Sequence, residues 1–160
     1  MNSGLNEHKN GYFQRVSGLK TFHAWDKSPC NDLNGSDGAY FPQSDLKKKL
    51  PVFLYEEDMC RLIPLEYTKI VFHAGVPTYL YVIPEGAYGG SKIGNECYNP
   101  KDYDALVGLQ PVAPCHFGTS IYISHPHFYQ ADPSLLEAVE GLKPNRDLHK
   151  TFFKMQPVRF

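Results

Sequence analysis

The chain has 160 residues, which is enough for one domain that buries a sizeable core. Its formal net charge of -1 gives no bulk attraction for nucleic acid or an acidic membrane surface, and its 14% aromatic content with 13 glycines and 13 prolines favours strands and turns over a helix bundle. No stretch approaches the roughly 18 to 20 apolar residues of a membrane-spanning helix, and the first residues carry no apolar run of signal-peptide type.

Alternation of apolar and polar residues predicts six strands along the chain. They cover residues 12–16, 52–55, 67–72, 78–83, 120–124 and 151–155. Because Gly75, Val76 and Pro77 leave so little chain between the third strand and the fourth, these two should pair as an antiparallel hairpin.

Capping and turn residues predict one helix after Asp132, with Pro133 in its first turn and Gly141 able to end it. A shorter helical turn is expected between residues 56 and 63, and the glycine-rich polar segment 86–99 is expected to be a mobile loop. The basic run 47–49 indicates a solvated turn between strands, with one corner of a patch for acidic lipoproteins or phospholipid as the alternative. Together these elements predict an α+β fold that is mainly antiparallel β.

Four cysteines are enough for two disulfide bridges, and the residues alone leave all three possible pairings open. No two cysteines have Cys-x-x-Cys spacing, which argues against a zinc ribbon or a thioredoxin-type site. Asn34, Gly35 and Ser36 form an N-glycosylation sequon in a turn, where a transferase could reach Asn34.

Three histidines are the sharpest candidates for a metal site. His125 and His127 would share one face of a strand, and His116 is close in sequence, so the three would suit a zinc-dependent hydrolase. Against this, Pro126 interrupts the strand, and no glutamate in the block has an obvious general-base position. We favour the interpretation that His127 ties the bend through a hydrogen bond, that His125 is incidental, and that His149 lies at a helix end or turn.

Other catalytic signals are weak. The sequence has no Gly-x-Ser-x-Gly elbow and no glycine-rich phosphate loop, and its cysteines are expected to be oxidised. We therefore expect no catalytic residue, no metal and no cofactor. Six aromatic residues could line a lipid cavity, although such residues more often form the core: Phe53, Tyr55, Tyr79, Tyr81, Tyr122 and Phe128.

Three blocks of the sequence resemble the class B scavenger receptors, which include the platelet fatty acid translocase, the lysosomal integral membrane protein of type two and the insect sensory neuron membrane proteins. The blocks comprise Trp25 with residues 30–38 and 41–42, then residues 58–61 with 75–77 and 79–84, and finally residues 119–149 with Thr151, Phe152 and Pro157. The third block is the most specific, because an alternating strand, a proline-bounded bend, a capped helix and a glycine stop follow one another in it.

The resemblance implies a large irregular β-barrel ectodomain with short helices and a hydrophobic tunnel that delivers lipid to the membrane. Residues 1–160 would be a single fragment of its middle-to-late barrel portion, without the family's membrane anchors. The implied partners are lipids, fatty acids, sterols or lipoproteins, on the extracellular side of the cell surface or the luminal side of the lysosomal membrane. No ligand-binding residue can be transferred from the family to this chain.

The resemblance also favours the pairings Cys30–Cys97 and Cys60–Cys115. By the chain-entropy model, each of these long-range bridges would stabilise the fold by about 4 kcal/mol. Vertebrate members have a third, short-range bridge whose cysteines are missing here, which hints at an invertebrate member and leaves open how segment 86–112 is held. Relatives often carry a sequon at the position of Asn34, which favours a glycan there.

Two other functions remain open. A secreted or surface adhesion module would use the same bridges and strands but would bind a protein through an exposed face. The zinc-dependent hydrolase would need His116, His125 and His127 in one cluster. Metal content separates the hydrolase from a receptor, and extraction of bound lipid separates the adhesion module.

Overall fold

A computed structural model describes residues 11–90, 95–100 and 105–157. Six strands occur in it: β1 (Val52–Glu56), β2 (Arg61–His73), β3 (Val76–Val82), β4 (Gln110–Pro111), β5 (Tyr122–Ile123) and β6 (Phe152–Met155). Four of them form an antiparallel sheet in the order β1-β2-β3-β6, and β4 pairs with β5 in a small second sheet. The predicted fold class, mainly antiparallel β with short helices, is confirmed.

The helices are short. They are α1 (Gln43–Lys47), α2 (Pro133–Glu137) and α3 (Arg146–His149), with single 3-10 turns at Glu57–Met59, Glu96–Tyr98, Ala113–Cys115 and Pro126–Phe128. The side chain of Asp132 caps α2, as predicted, and the side chain of Asn145 caps α3. Within the described ranges, no helix has the length and apolar character needed to cross a membrane.

The long strand β2 joins two parts of the sheet. Its first half, up to Leu65, pairs with β1, and its second half pairs with β3 as far as His73 opposite Val76. The register shifts between Tyr67 and Lys69, and an irregularity of this kind bends a strand. The sheet is accordingly curled. The hairpin predicted at residues 75–77 is confirmed.

The main core lies against one face of this sheet. Val52, Leu65 and Tyr81 are completely buried there, and Leu46 of α1 and Tyr88 pack onto them. Burial of aliphatic and aromatic side chains is the dominant favourable term in folding, so this face holds the fold together.

The six aromatic candidates divide between core and surface. The core interpretation is confirmed for Tyr55 and Tyr81, whereas Phe53 and Tyr122 are exposed. Tyr79 and Phe128 are half-buried, and Tyr79 packs against the main core.

The strand predicted at residues 12–16 is wrong. Only an isolated bridge between Val16 and Leu19 forms there, around a turn in which Ser17 and Gly18 have positive φ angles. The alternating aromatic residues are instead used for tertiary contacts. The Phe13 ring packs edge-on against Tyr55 at 5.8 Å, and the hydroxyl of Tyr12 donates to Asp45 at 2.9 Å.

Several predicted boundaries also differ. The helical turn expected between residues 56 and 63 is confined to Glu57–Met59, because Cys60 adopts a left-handed conformation and β2 begins at Arg61. Helix α2 ends at Glu137, four residues before Gly141. The strand predicted at 120–124 contracts to two residues.

Two predicted loops have mixed outcomes. In segment 86–99, residues 91–94 lie outside the described residues, so its expected mobility stays a prediction. The basic run begins at the last residue of α1 and continues toward β1 rather than lying between two strands, and its lysines are exposed. The ammonium group of Lys49 lies 5.0 Å from the ring centre of Tyr67.

Candidate functional site

A groove of about 580 Å³ lies on the face of the sheet opposite the main core. Leu80 and Val82 line it, and they alternate along β3 with the core residue Tyr81, so they point to the other face. Val71 from β2 and Phe152 from β6 extend this apolar floor. Phe152 is 53% exposed, so the floor is accessible from solvent.

Positive side chains surround the apolar floor. The charged residues that line the groove are Lys69, Arg146, Lys150 and Lys154, with one carboxylate, Asp147. Leu80 is paired with Lys69 on one side and with Lys154 on the other, so the two lysines flank it in one row across the sheet. Arg146 and Lys150 are four residues apart at α3 and its C-cap, a spacing that makes side chains neighbours.

A second groove of about 410 Å³ continues from the first. It shares Val82, Arg146 and Lys150 with the larger groove and adds two carboxylates, Glu66 and Glu85. The two cationic residues at α3 therefore lie at the boundary between a basic groove and a more acidic one. An apolar floor with a basic rim can hold an amphiphile.

A buried polar network lies below the loops at the other end of β2. The guanidinium of Arg61, which is 1% exposed, donates to the amide oxygens of Gln110 and Asn95, the latter at 3.2 Å. Gln110 in turn donates to the carbonyl of Tyr98 at 2.8 Å, and Asn95 donates to the carbonyl of Gly86 at 2.8 Å. Arg61 and its two amide partners thereby join the chain around Gly86, Asn95 and Gln110, so these described parts of segment 86–112 are linked without a third bridge.

The guanidinium of Arg61 lies against two aromatic rings. Its guanidinium carbon lies 4.1 Å from the ring centre of Tyr98 and 5.9 Å from that of Tyr88, distances typical of cation–π contacts. Burial lowers the pKa of Arg61 to about 10, and the neighbouring Tyr98 and Tyr88 oppose that shift. Arg61 therefore stays a cation at neutral pH.

The two cystines of the structure lie next to this network. Cys30 is bonded to Cys97 and Cys60 to Cys115, with Cα–Cα distances of 5.9 and 5.7 Å. The loops that they close overlap along the chain. Trp25 contacts both: its indole N–H donates to the carbonyl of Cys60 at 2.7 Å, and its ring packs with Cys30 and Cys97 in a small second core.

The Cys-Asn pair that follows Trp25 has a structural explanation. The side chain of Asn31 accepts from the backbone N–H of Trp25 at 2.9 Å and donates to its carbonyl. This double contact aligns Trp25 so that its ring packs edge-on against Tyr98, with ring centres 5.2 Å apart.

The sequon has an exposed acceptor and a buried hydroxyl. Asn34 is exposed, whereas Ser36 has none of its surface exposed and donates to the carbonyl of Tyr40 at 2.6 Å. A Cβ on Gly35 would lie 2.4 Å from the side chain of Leu62. Because Ser36 is committed in the folded chain, a transferase that reads this sequon must act before the segment folds.

The three histidines considered for zinc do not form one cluster. His116 bonds to the carbonyl of Asp58 at 2.7 Å, and His127 accepts from the backbone N–H of Lys143 at 3.2 Å. Among the described residues, no group of three or more histidine, cysteine, aspartate or glutamate residues is placed to hold a metal ion. The zinc-hydrolase alternative therefore loses the cluster it requires.

The roles expected for the individual histidines are partly correct. The bond from Lys143 confirms that His127 ties the bend, and His149 ends α3 with its ring stacked on His127 at 4.3 Å. The expectation that His125 is incidental is wrong, because it is only 7% exposed. Its ring lies 4.9 Å from that of Tyr88, and Nδ1 is 3.2 Å from the hydroxyl of Thr151.

Residue patterns did not reveal either the network or the groove. In the sequence, Arg61 is noted only as the last residue of the 58–61 block that resembles the family. Its partners Asn95 and Gln110 are 34 and 49 residues away. The lysines of β2 and β6 become neighbours only through β3. The sequence offers one signal for the two lysines that flank Leu80: Lys69 and Lys154 are charged residues inside otherwise apolar strands.

Replacing Arg61 by Met should destabilise the fold, because it leaves two amide oxygens without their donor. The buried oxygen of Gln110 accounts for about 1–3 kcal/mol of this loss, and the half-buried oxygen of Asn95 for less. Arg61→Lys should recover little of the loss, since an ammonium cannot present the planar fork that reaches both oxygens. The measurement is the free energy of unfolding from denaturant titration of the oxidised protein.

The matched control is Arg15→Met. Arg15 is exposed and donates to the carbonyl of Gly18 at 2.9 Å, so its loss should change stability by no more than about 0.5 kcal/mol. Equal effects of the two substitutions would show that the network contributes nothing beyond a surface contact.

Stability should fall as the pH falls below about 6.5, the ordinary pKa of histidine in an unfolded chain. Burial lowers the pKa of His125 in the folded protein, so below that value the unfolded chain binds its proton more readily. The slope from this one group is at most about 1.4 kcal/mol per pH unit.

We expect the difference in unfolding free energy between pH 7.5 and 5.5 to be smaller in His125→Phe than in the unsubstituted chain. His73→Phe serves as the control, because His73 is exposed at the end of β2. An unchanged pH dependence in His125→Phe would contradict the assignment of the lowered pKa to this residue.

Comparison with known proteins gives a consistent result. A model of the CD36 family matches residues 1–159. Protein peste of Drosophila melanogaster is 34% identical over 152 residues, which cover 89% of this chain and 27% of peste. Scavenger receptor class B member 1 of Mus musculus is 34% identical over 149 residues, which cover 89% of this chain and 28% of the receptor.

Lysosome membrane protein 2 of Rattus norvegicus is 28% identical over 142 residues, which cover 89% of this chain and 30% of that protein. The chain thus spans less than a third of the length of each of these three relatives. The resemblance seen in the three sequence blocks is confirmed, and the chain belongs to the CD36 family.

Proposed function

We propose that this chain contributes to the ectodomain of a class B scavenger receptor that binds lipid or lipoprotein without covalent chemistry. Residues 1–160 would form one part of a barrel whose hydrophobic tunnel delivers lipid to the membrane. The membrane would be that of the cell surface or of the lysosome, and the chain would lie on its extracellular or luminal side.

The observation that supports this proposal best is the contrast between the two faces of the curled sheet. One face is packed with core residues, and the other carries the apolar floor of Val71, Leu80, Val82 and Phe152 in an open groove. An acyl chain gains about 0.8 kcal/mol for each methylene that leaves water, so an accessible apolar floor of this kind favours transfer of lipid.

Bound lipid should depend on this floor. We expect Leu80→Glu to reduce the lipid that is extracted with the purified protein, because a carboxylate in the middle of the floor must be desolvated when an acyl chain covers it. The measurement is mass spectrometry of organic extracts, normalised to protein.

The control is Leu19→Glu, since Leu19 is 47% exposed and lies outside the groove. Lipid that is absent from the unsubstituted protein, or lost equally in the two variants, would contradict the proposal. Binding of a protein partner without any effect of Leu80→Glu would favour the adhesion module.

We propose that the mature protein carries the Cys30–Cys97 and Cys60–Cys115 bridges and a glycan on Asn34. The bridges are supported by the proximity of the paired cysteines and by the contacts of Trp25 with both, and the glycan is supported by the exposure of Asn34.

Peptide mapping of secreted protein without reduction should recover both cross-linked peptides, and a glycosidase should shift the mass of the peptide that contains Asn34. Asn34→Gln should abolish the mass shift and leave the bridges in place. Four reduced cysteines, or a different pairing, would contradict the proposed framework, and an unmodified Asn34 would contradict only the glycan.

A further inference from the structure

Membership of the family leaves open which kind of lipid reaches the groove. We propose that the 580 Å³ groove selects single-chain amphiphiles whose headgroup is a phosphate monoester, an inference that rests on the proposed lipid-binding function. The headgroup would lie at Arg146 and Lys150, and the chain would run over Val82 and Leu80 toward Val71.

The positive charge of the groove lining favours a headgroup with more than one negative charge. The lining of this groove includes four cationic side chains and one carboxylate, an excess of three positive charges. Two of the four cations, Arg146 and Lys150, also border Glu66 and Glu85 of the second groove. A sterol brings no charge and a fatty acid brings one negative charge, whereas a phosphate monoester carries about -1.5 to -2 near pH 7. The phosphate monoester is therefore the amphiphile whose charge comes nearest to that of the rim.

The arrangement of the hydrogen-bond donors also favours a phosphate. Arg146 presents a planar guanidinium, which binds two phosphate oxygens at once, and Lys150 lies one helical turn away. The ammonium of Lys154 is held 5.7 Å from the ring centre of Phe152, a floor residue. Cations from the helix and from the sheet thus border the same floor.

The neighbouring groove limits where an anionic headgroup can lie. Arg146, Lys150 and Val82 belong to both grooves, and the second groove is also lined by Glu85 and by Glu66, the cross-strand partner of Val82. These carboxylates would repel a phosphate that moved further, so the headgroup stops at the shared boundary. The apolar chain then extends in the opposite direction along the floor.

The volume fits a single chain. Pockets for small ligands span roughly 300–1,000 Å³, and the groove falls within that range. At Leu80 the apolar floor is only one side chain wide, because Lys69 and Lys154 flank that residue directly. One acyl chain can cover such a strip, whereas a diacyl lipid would have to spread over the lysines.

The test uses three amphiphiles with the same tail: dodecyl phosphate, dodecanoate and dodecanol, each below its aggregation concentration. Affinities are measured by calorimetry on the full, oxidised chain at about pH 8, where a phosphate monoester is a dianion. We expect dodecyl phosphate to bind about tenfold more tightly than dodecanoate, the effect of about one further charge-assisted hydrogen bond. Dodecanol should bind most weakly.

The decisive variant is Arg146→Gln combined with Lys150→Gln. It should abolish the preference for phosphate over carboxylate and should weaken the binding of dodecanol far less than that of dodecyl phosphate. Lys47→Gln combined with Lys48→Gln removes the same net charge outside the groove and should keep the preference. Circular dichroism of all variants confirms that each is folded.

The outcomes separate the two proposals. If dodecanol binds and dodecyl phosphate gains nothing over dodecanoate, the headgroup assignment is overturned and the lipid-binding function stands. A loss of preference in the Lys47 and Lys48 variant equal to that in the Arg146 and Lys150 variant would also overturn the assignment. If none of the three amphiphiles binds, both proposals fail.

Discussion

The buried guanidinium of Arg61 is the interaction on which the loop side of the structure depends. It lies where the 3-10 turn after β1 ends and β2 begins, and its donors reach amide oxygens from two later parts of the chain. A buried cation is costly unless every donor is satisfied, and within the described residues no buried side-chain nitrogen or oxygen lacks a hydrogen-bond partner. Satisfying Arg61 therefore requires the loops to take one arrangement.

The cystines and Trp25 act on the same region by a different mechanism. The bridges restrict the unfolded chain, whereas Trp25 and Arg61 specify which folded arrangement is adopted. Tyr98 connects the two, because Trp25 packs against one part of its ring while the guanidinium of Arg61 lies near its ring centre. These contacts involve the loop side, whereas the groove lies on the second face of the long β2–β3 hairpin.

The second face obtains its chemistry from strand pairing. The register of β2 and β6 against β3 places a lysine on each side of Leu80, and α3 adds Arg146 and Lys150 beside Val82. In the row that crosses β2, β3 and β6 at Leu80, an apolar side chain therefore lies between two cationic ones. Neither kind alone would suit an amphiphile, because an apolar face would not distinguish headgroups and a cationic face would not hold an acyl chain.

Local patterns in the sequence were sufficient for the hairpin, the cap at Asp132, the mainly antiparallel class and the family, because each depends on residues close in sequence or on a recognisable motif. The strand expected at 12–16 was wrong for a related reason: its aromatic residues alternate like a strand, but Phe13 and Tyr12 find partners in Tyr55 and Asp45. Only the tertiary structure decided the partners of Arg61, the burial of His125, the separation of the three histidines and the cationic rim. All of these join residues that are distant along the chain, and a one-dimensional pattern carries no information about which distant side chains become neighbours when a long strand bends.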